Sequence, residues 1–117
     1  MARKIIIIDD DSSTLESISS FFQEIGYDVN TASNGVDGLE MIRRYKPDLI
    51  ISDVMMPKLG GMELNYILKG INFNSPVIFI SAYDWETENK PGDYFAFLTK
   101  PIDIFELAKQ VDLAFSS

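Results

Sequence analysis

The sequence predicts an α/β domain built on a central parallel sheet. Apolar runs of strand length recur along the chain, amphipathic stretches at helical spacing separate them, and each strand–helix unit takes about 20 residues. Ile5–Ile8 is a continuous β-branched run, the pattern of a strand buried on both faces. Ser12, Ser13 and Thr14 are N-cap candidates for a helix carrying Leu15, Ile18, Phe21, Phe22 and Ile25 at helical spacing, with Gly26 as its stop. Tyr27–Ala32 reads as a second strand and Asn34-Gly35 as a turn. A short helix over Val36–Tyr45 then presents Val36, Leu39, Met41, Ile42 and Tyr45. Pro47 ends it. Asp48–Asp53 is a third strand that closes on an acid, Pro57 to Gly61 a loop, and Met62–Lys69 a third helix that runs up to Gly70.

Pro76–Ala82 is a fourth buried strand and Tyr94–Thr99 a fifth. Asp103 caps a last helix with Ile104, Leu107, Ala108, Val111 and Phe115 on one face and Phe105 off it. Between Ala82 and Tyr94 there is no apolar stripe, so the helix expected in that unit is short, irregular or missing.

Composition narrows the chemistry. The chain has 117 residues, 46% of them apolar and 24% charged, which fits one globular domain over 1–117 with no effector domain. It contains no cysteine and no histidine, excluding thiol catalysis, Cys-ligated zinc and imidazole chemistry within this chain. The net charge of −8, from 10 basic and 18 acidic residues, argues against direct nucleic-acid binding, which draws on cationic contacts to phosphate. The apolar runs are too short to span a bilayer, and Asp9 comes too early for a secretory signal. A cytoplasmic location is expected.

Ligands of open α/β sheets sit beyond the carboxyl ends of the strands, where the strand order reverses. Here the first strand ends in Asp9-Asp10-Asp11, the third in Asp53, the fourth in Ser81 and the fifth in Lys100. A two-way winding of order 2-1-3-4-5 sets the first and third strands side by side and brings the acids together. Like charges so placed raise a pKa unless a cation joins them. With only oxygen donors present, Mg²⁺ (or Mn²⁺) fits, and Lys100 adds a compact positive charge for a phosphate oxygen. Together these groups suit phosphoryl chemistry on a carboxylate nucleophile. Singly, each has an ordinary explanation: Asp9, Asp10 and Asp11 as helix-capping acids, Asp53 as a turn former, Ser81 as a loop hydroxyl, Lys100 as a surface cation.

Ile5-Ile-Ile-Ile-Asp-Asp-Asp11, Asp53-Val-Met-Met-Pro57 with Gly61 four residues on, Ile80-Ser-Ala82 and Thr99-Lys-Pro101 resemble the receiver domain of bacterial two-component response regulators over nearly the whole chain. The resemblance implies a doubly wound five-stranded parallel sheet, flavodoxin-like in its order 2-1-3-4-5, with helices on both faces. It implies Asp53 as phosphoacceptor, Asp10 as a direct Mg²⁺ ligand, Asp9 as a ligand through water, and the Met55 backbone carbonyl as a further ligand. Ser81 then serves as the hydroxyl switch, Lys100 as the phosphoryl group's ion-pair partner, and Phe97 as the aromatic switch. A cis bond before Pro101 is also implied. The partners implied are a sensor histidine kinase or phosphotransfer protein as donor and a downstream protein as reader, and a homodimer is an open option. Such a chain catalyses only its own phosphorylation and dephosphorylation. It departs from the family in the short stretch from Ser81 to Lys100 and in the bulky Met55, which is expected to slow phosphate loss.

Three other readings compete. A haloacid-dehalogenase-like phosphatase is loosely imitated by Asp9-Asp10-Asp11-Ser12-Ser13, but no acidic pair follows Lys100. A pseudo-receiver keeps the fold without phosphorylation. Flavodoxin is disfavoured by the acidic Asp9–Thr14 segment, which is hostile to a flavin phosphate.

Overall fold

Alternation along three isoleucine-rich strands builds both sides of the molecule. The computed structural model describes residues 2–56, 58–82 and 94–116. Its elements are β1 (Lys4–Ile8), α1 (Ser12–Glu24), β2 (Asp28–Ala32), α2 (Gly35–Tyr45), β3 (Leu49–Asp53), α3 (Gly61–Gly70), β4 (Val77–Ser81), β5 (Ala96–Thr99) and α4 (Ile104–Ser116). All strand pairs are parallel, and the order is β2-β1-β3-β4-β5, as expected. The expected irregular helix after Ala82 lies outside the described residues.

Successive side chains of a strand point to opposite faces. Ile5 and Ile7 of β1, Leu49 and Ile51 of β3, and Ile78 and Ile80 of β4 therefore pack with Ile18 and Phe22 of α1 and Leu107 and Val111 of α4. Their alternates Ile6, Ile8, Ile50, Val77 and Phe79 pack with Ile42 of α2 and Leu64 and Leu68 of α3 on the other face. The apolar residues of the three central strands are buried, whereas β5 at the edge is mostly half-buried.

Three local expectations are corrected. The N-cap of α1 is Asp11, and Ser12, Ser13 and Thr14 fall inside the helix. One carboxylate serves more donors than a hydroxyl: Asp11 Oδ1 accepts from the Ser13 backbone N–H at 3.1 Å and its hydroxyl at 3.0 Å, and Oδ2 from the Thr14 hydroxyl at 2.9 Å. Along α2, Val36 is exposed while Gly35 and Gly38 take inward positions, because Leu59 crowds the first and Ile8 of β1 the second too closely for side chains. Asp48 stands outside β3 and accepts the Lys4 backbone N–H at 2.7 Å. Asp103 caps α4 as expected, accepting from the backbone of Phe105 at 3.0 Å.

Candidate functional site

Each strand ladder runs one residue further than the strand it closes, which sets the site's residues at one height. Asp9 N–H donates to Ala32 O at 3.1 Å, Val54 N–H to Ile80 O at 3.1 Å, and Lys100 N–H to Ser81 O at 2.7 Å. Side chains following β1, ending β3 and β4, and following β5 are thereby brought to a common rim. The close approach of α3 helps to hold it, since a Cβ on Gly61 would lie 2.4 Å from Asp53 O.

Asp9, Asp10 and Asp53 converge there, each with a carboxylate oxygen within 4.8 Å of the others. Asp9 and Asp53 are buried, and Asp10 is exposed at the mouth. Lys100 Nζ lies 2.8 Å from Asp9 Oδ2 and 2.9 Å from Asp53 Oδ2, bridging the two buried acids. The contact with Asp9 is an ion pair: buried Oδ2 has no partner in hydrogen-bond geometry. Asp9 Oδ1 accepts the Asp11 N–H at 2.9 Å, and Asp53 Oδ1 accepts the Met55 N–H at 3.0 Å.

The electrostatics follow from burial. Desolvation pushes the Asp9 carboxyl above the usual aspartate value, and nearby Asp53 pushes the same way against the Lys100 contact and the Asp11 N–H. Burial works against the Lys100 ammonium, but its close contacts with the Asp9 and Asp53 carboxylates outweigh it and hold this lysine above the ordinary value. Asp11 is lowered by the Thr14 and Ser13 hydroxyls.

A hard divalent cation suits this donor set: three carboxylates, no histidine or cysteine in the chain, and a buried Asp9 oxygen paired with an ammonium. Ser81 is buried at the end of β4. Phe97, half-buried on β5, pairs with Phe79 in register and makes an edge contact with Tyr94 at 6.1 Å between ring centroids. The Met55 side chain, two residues beyond Asp53, is 51% exposed. The Lys100–Pro101 peptide is cis. An open cleft of about 700 Å³ borders the site through Lys100 and Asp11 and is otherwise lined mainly by Ile18, Phe21, Pro101 and Ile104.

Sequence reasoning missed the Lys100–Asp9 bridge and the two backbone donors to the acids. The Asp9-x-Asp11 spacing carries a signal for one of those donors, because an aspartate commonly bonds the backbone N–H two residues on. Nothing in the local sequence marks the bridge.

A 2-1-3-4-5 parallel sheet with an acid cluster and a lysine at its carboxyl edge defines a receiver-type signalling domain. The profile of the response regulator receiver domain matches residues 5–112, and the chain belongs to that family. The response regulator MprA of Mycobacterium tuberculosis is 36% identical over 110 residues, covering 92% of this chain and 48% of that protein. The alkaline phosphatase synthesis transcriptional regulatory protein PhoP of Bacillus subtilis is 34% identical over 114 residues, covering 95% and 48%. The chain thus spans about half the length of the curated relatives it matches. The solved receiver domain of the Francisella response regulator 1452 superposes with a TM-score of 0.87 at 38% identity over 97% of both chains. The domain is a two-component signalling domain and not a classical enzyme, so the phosphatase and flavodoxin readings are not favoured. No helix among the described residues is long and apolar enough to cross a membrane.

Proposed function

We propose that this domain is a phosphorylation-dependent switch that accepts a phosphoryl group on Asp53. The supporting observation is the cluster of Asp9, Asp10 and Asp53 oxygens within 4.8 Å, with the Lys100 ammonium 2.9 Å from Asp53. Asp9 and Asp10, with Asp53 and the Met55 carbonyl, would hold Mg²⁺ (or Mn²⁺), which when bound neutralises charge on the transferred oxygens.

The chain's own groups do the rest. The Asp53 carboxylate attacks phosphorus in line, forming an acyl phosphate while the bond to the donor's leaving atom breaks. Lys100 offsets the charge gathered on the phosphoryl oxygens. The Met55 N–H fixes one Asp53 oxygen, leaving the other to react. The Ser81 hydroxyl then closes on the phosphoryl group, and Phe97 turns inward behind it. That shift in population changes the surface a partner reads.

The donor is a sensor histidine kinase, a phosphotransfer protein or a small acyl phosphate, and the state passes to a downstream protein. The domain itself works in the cytoplasm without touching nucleic acid. Intact mass after incubation with Mg²⁺ and acetyl phosphate tests the reading. One labile phosphoryl adduct on the wild type and none on Asp53→Asn is expected. An adduct on both, or on neither, overturns it.

A further inference from the structure

We propose that the glycine face of α2 is a positioning element for the acidic site, with Gly35 seating the loop that follows Asp53. The proposal deepens the phosphoacceptor reading and rests on it for its rate measurement. It begins with a turn of fixed shape. Asn34 is buried, accepts the Asp37 backbone N–H at 2.9 Å, and donates its amide to Asp37 Oδ2 at 2.9 Å, so the first turn of α2 is tied from both sides.

Gly35 and Gly38 follow at i, i+3 spacing and share one face. That face meets both halves of the site. A Cβ on Gly38 would lie 2.5 Å from Ile8 Cδ1, on the residue before Asp9. A Cβ on Gly35 would lie 1.9 Å from Leu59 O and 2.7 Å from Leu59 C, in the loop that leads from Asp53 to α3.

The two contacts differ in kind. Ile8 offers the free end of a side chain, which can turn aside. Leu59 offers backbone, which moves only with its loop. That loop is already pinned at its other end: Gly61 N–H donates to Val54 O at 2.9 Å, and Met55 N–H holds Asp53 Oδ1. A methyl group on Gly35 therefore displaces Leu59, and the displacement reaches the Met55 bond that orients the acceptor carboxylate. Gly38, by contrast, is a packing contact. Gly35 is a positioning residue, not a catalytic one.

Amide NMR of the metal-free protein tests this, comparing wild type, Gly35→Ala and Gly38→Ala, with thermal unfolding alongside. Gly35→Ala is expected to shift the Met55 and Gly61 amides and to speed hydrogen exchange at Met55. It should also slow phosphorylation by acetyl phosphate about tenfold or more, as misplacing a reacting group does. Gly38→Ala is expected to lower the melting temperature while leaving those amides and the rate near wild type. Unshifted Met55 and Gly61 amides in Gly35→Ala, or equal shifts in both variants, overturn the proposal. If the wild type takes no phosphoryl group the phosphoacceptor reading fails, while the amide comparison still decides the role of Gly35. Should Gly35→Ala not fold, Asp37→Ala loosens the same turn: faster exchange at Met55 supports the proposal, and an unchanged rate there overturns it.

Discussion

Lys100 and Asp53, 47 positions apart in the chain, meet at 2.9 Å between Nζ and Oδ2. Backbone pairing makes the meeting possible. Asp53 ends β3, Lys100 follows β5, and β4 lies between them, so the two backbones stand about 10 Å apart, twice the spacing of adjacent strands. A four-methylene side chain crosses that gap and a shorter cation does not. The ammonium then serves Asp53 and the buried Asp9 together.

Removing that charge is therefore costly. Lys100→Met is expected to destabilise the domain by about 2–4 kcal/mol at neutral pH, because it strands two buried carboxylates. The lysine side chain is 20% exposed, which keeps the loss below that of a fully enclosed pair. Urea unfolding without divalent cations measures it. A midpoint equal to the wild type's would mean that the bridge contributes nothing net.

Asp9→Asn should act the other way on stability. Burial dominates at Asp9, so its charged form is held less well in the fold than in water despite the Lys100 contact. The amide keeps the shape without the charge, and a gain of about 1 kcal/mol is expected in the absence of metal. Divalent binding should weaken in the same variant. The pair of measurements, urea midpoint with chelator and Mg²⁺ titration by calorimetry, separates the two effects.

The fold was legible because burial on both faces leaves an unmistakable mark. Ile5–Ile8 could only be a central strand, and acids at positions 9 and 53 could only converge once β1 and β3 were neighbours. The Lys100–Asp9 bridge left no such mark, since it depends on side-chain reach across three inter-strand gaps. The hydroxyls at the start of α1 misled because Asp11 takes the Ser13 backbone N–H and accepts the Ser13 and Thr14 hydroxyls as well. Val36 misled because helical spacing identifies a face but not how closely its neighbours, Ile8 of β1 and the Leu59 loop, approach it. Gly35 and Gly38 answer that question, and a pattern of apolar residues does not register them.

Tyr27 gives the domain an alkaline limit. Burial raises its hydroxyl above the ordinary value of 10.0, and Asp112 adds to this against the opposing Arg3. A raised value means the folded state holds its proton more firmly than the unfolded chain. The stabilisation is complete below 10 and is lost as pH rises from there through the folded-state value. Tyr27→Phe keeps the ring packing against Phe22 and Phe115. Guanidinium midpoints from pH 8 to about pH 11 should fall less steeply in the variant than in the wild type.

Two phenylalanines separate core from surface. Phe79 is fully buried between α3 and the Tyr94 ring, 6.0 Å away between centroids. Phe79→Ala is expected to cost about 3–5 kcal/mol through lost burial and the cavity left behind. Phe105 is 76% exposed and touches Phe21 only at a ring edge, 6.4 Å between centroids. Phe105→Ala should stay within about 0.5 kcal/mol. Equal losses in the two variants, measured by thermal unfolding, would contradict this division.

On the proposed function, Met55 is expected to set how long a phosphoryl group on Asp53 lasts. Its N–H holds Asp53 Oδ1 at 3.0 Å, so its side chain is anchored beside the acceptor acid, where it is 51% exposed. Water that hydrolyses an acyl phosphate must approach the phosphorus from the solvent side. A bulky thioether there offers the water only a weak acceptor and no donor. Asn at the same position frees space and supplies both a donor and an acceptor to orient it. Met55→Asn is therefore expected to speed phosphate loss severalfold while leaving the backbone bond to Asp53 intact. The decay of the phosphorylated mass after removal of excess acetyl phosphate measures it, and identical decay in the two proteins would remove Met55 from control of the lifetime.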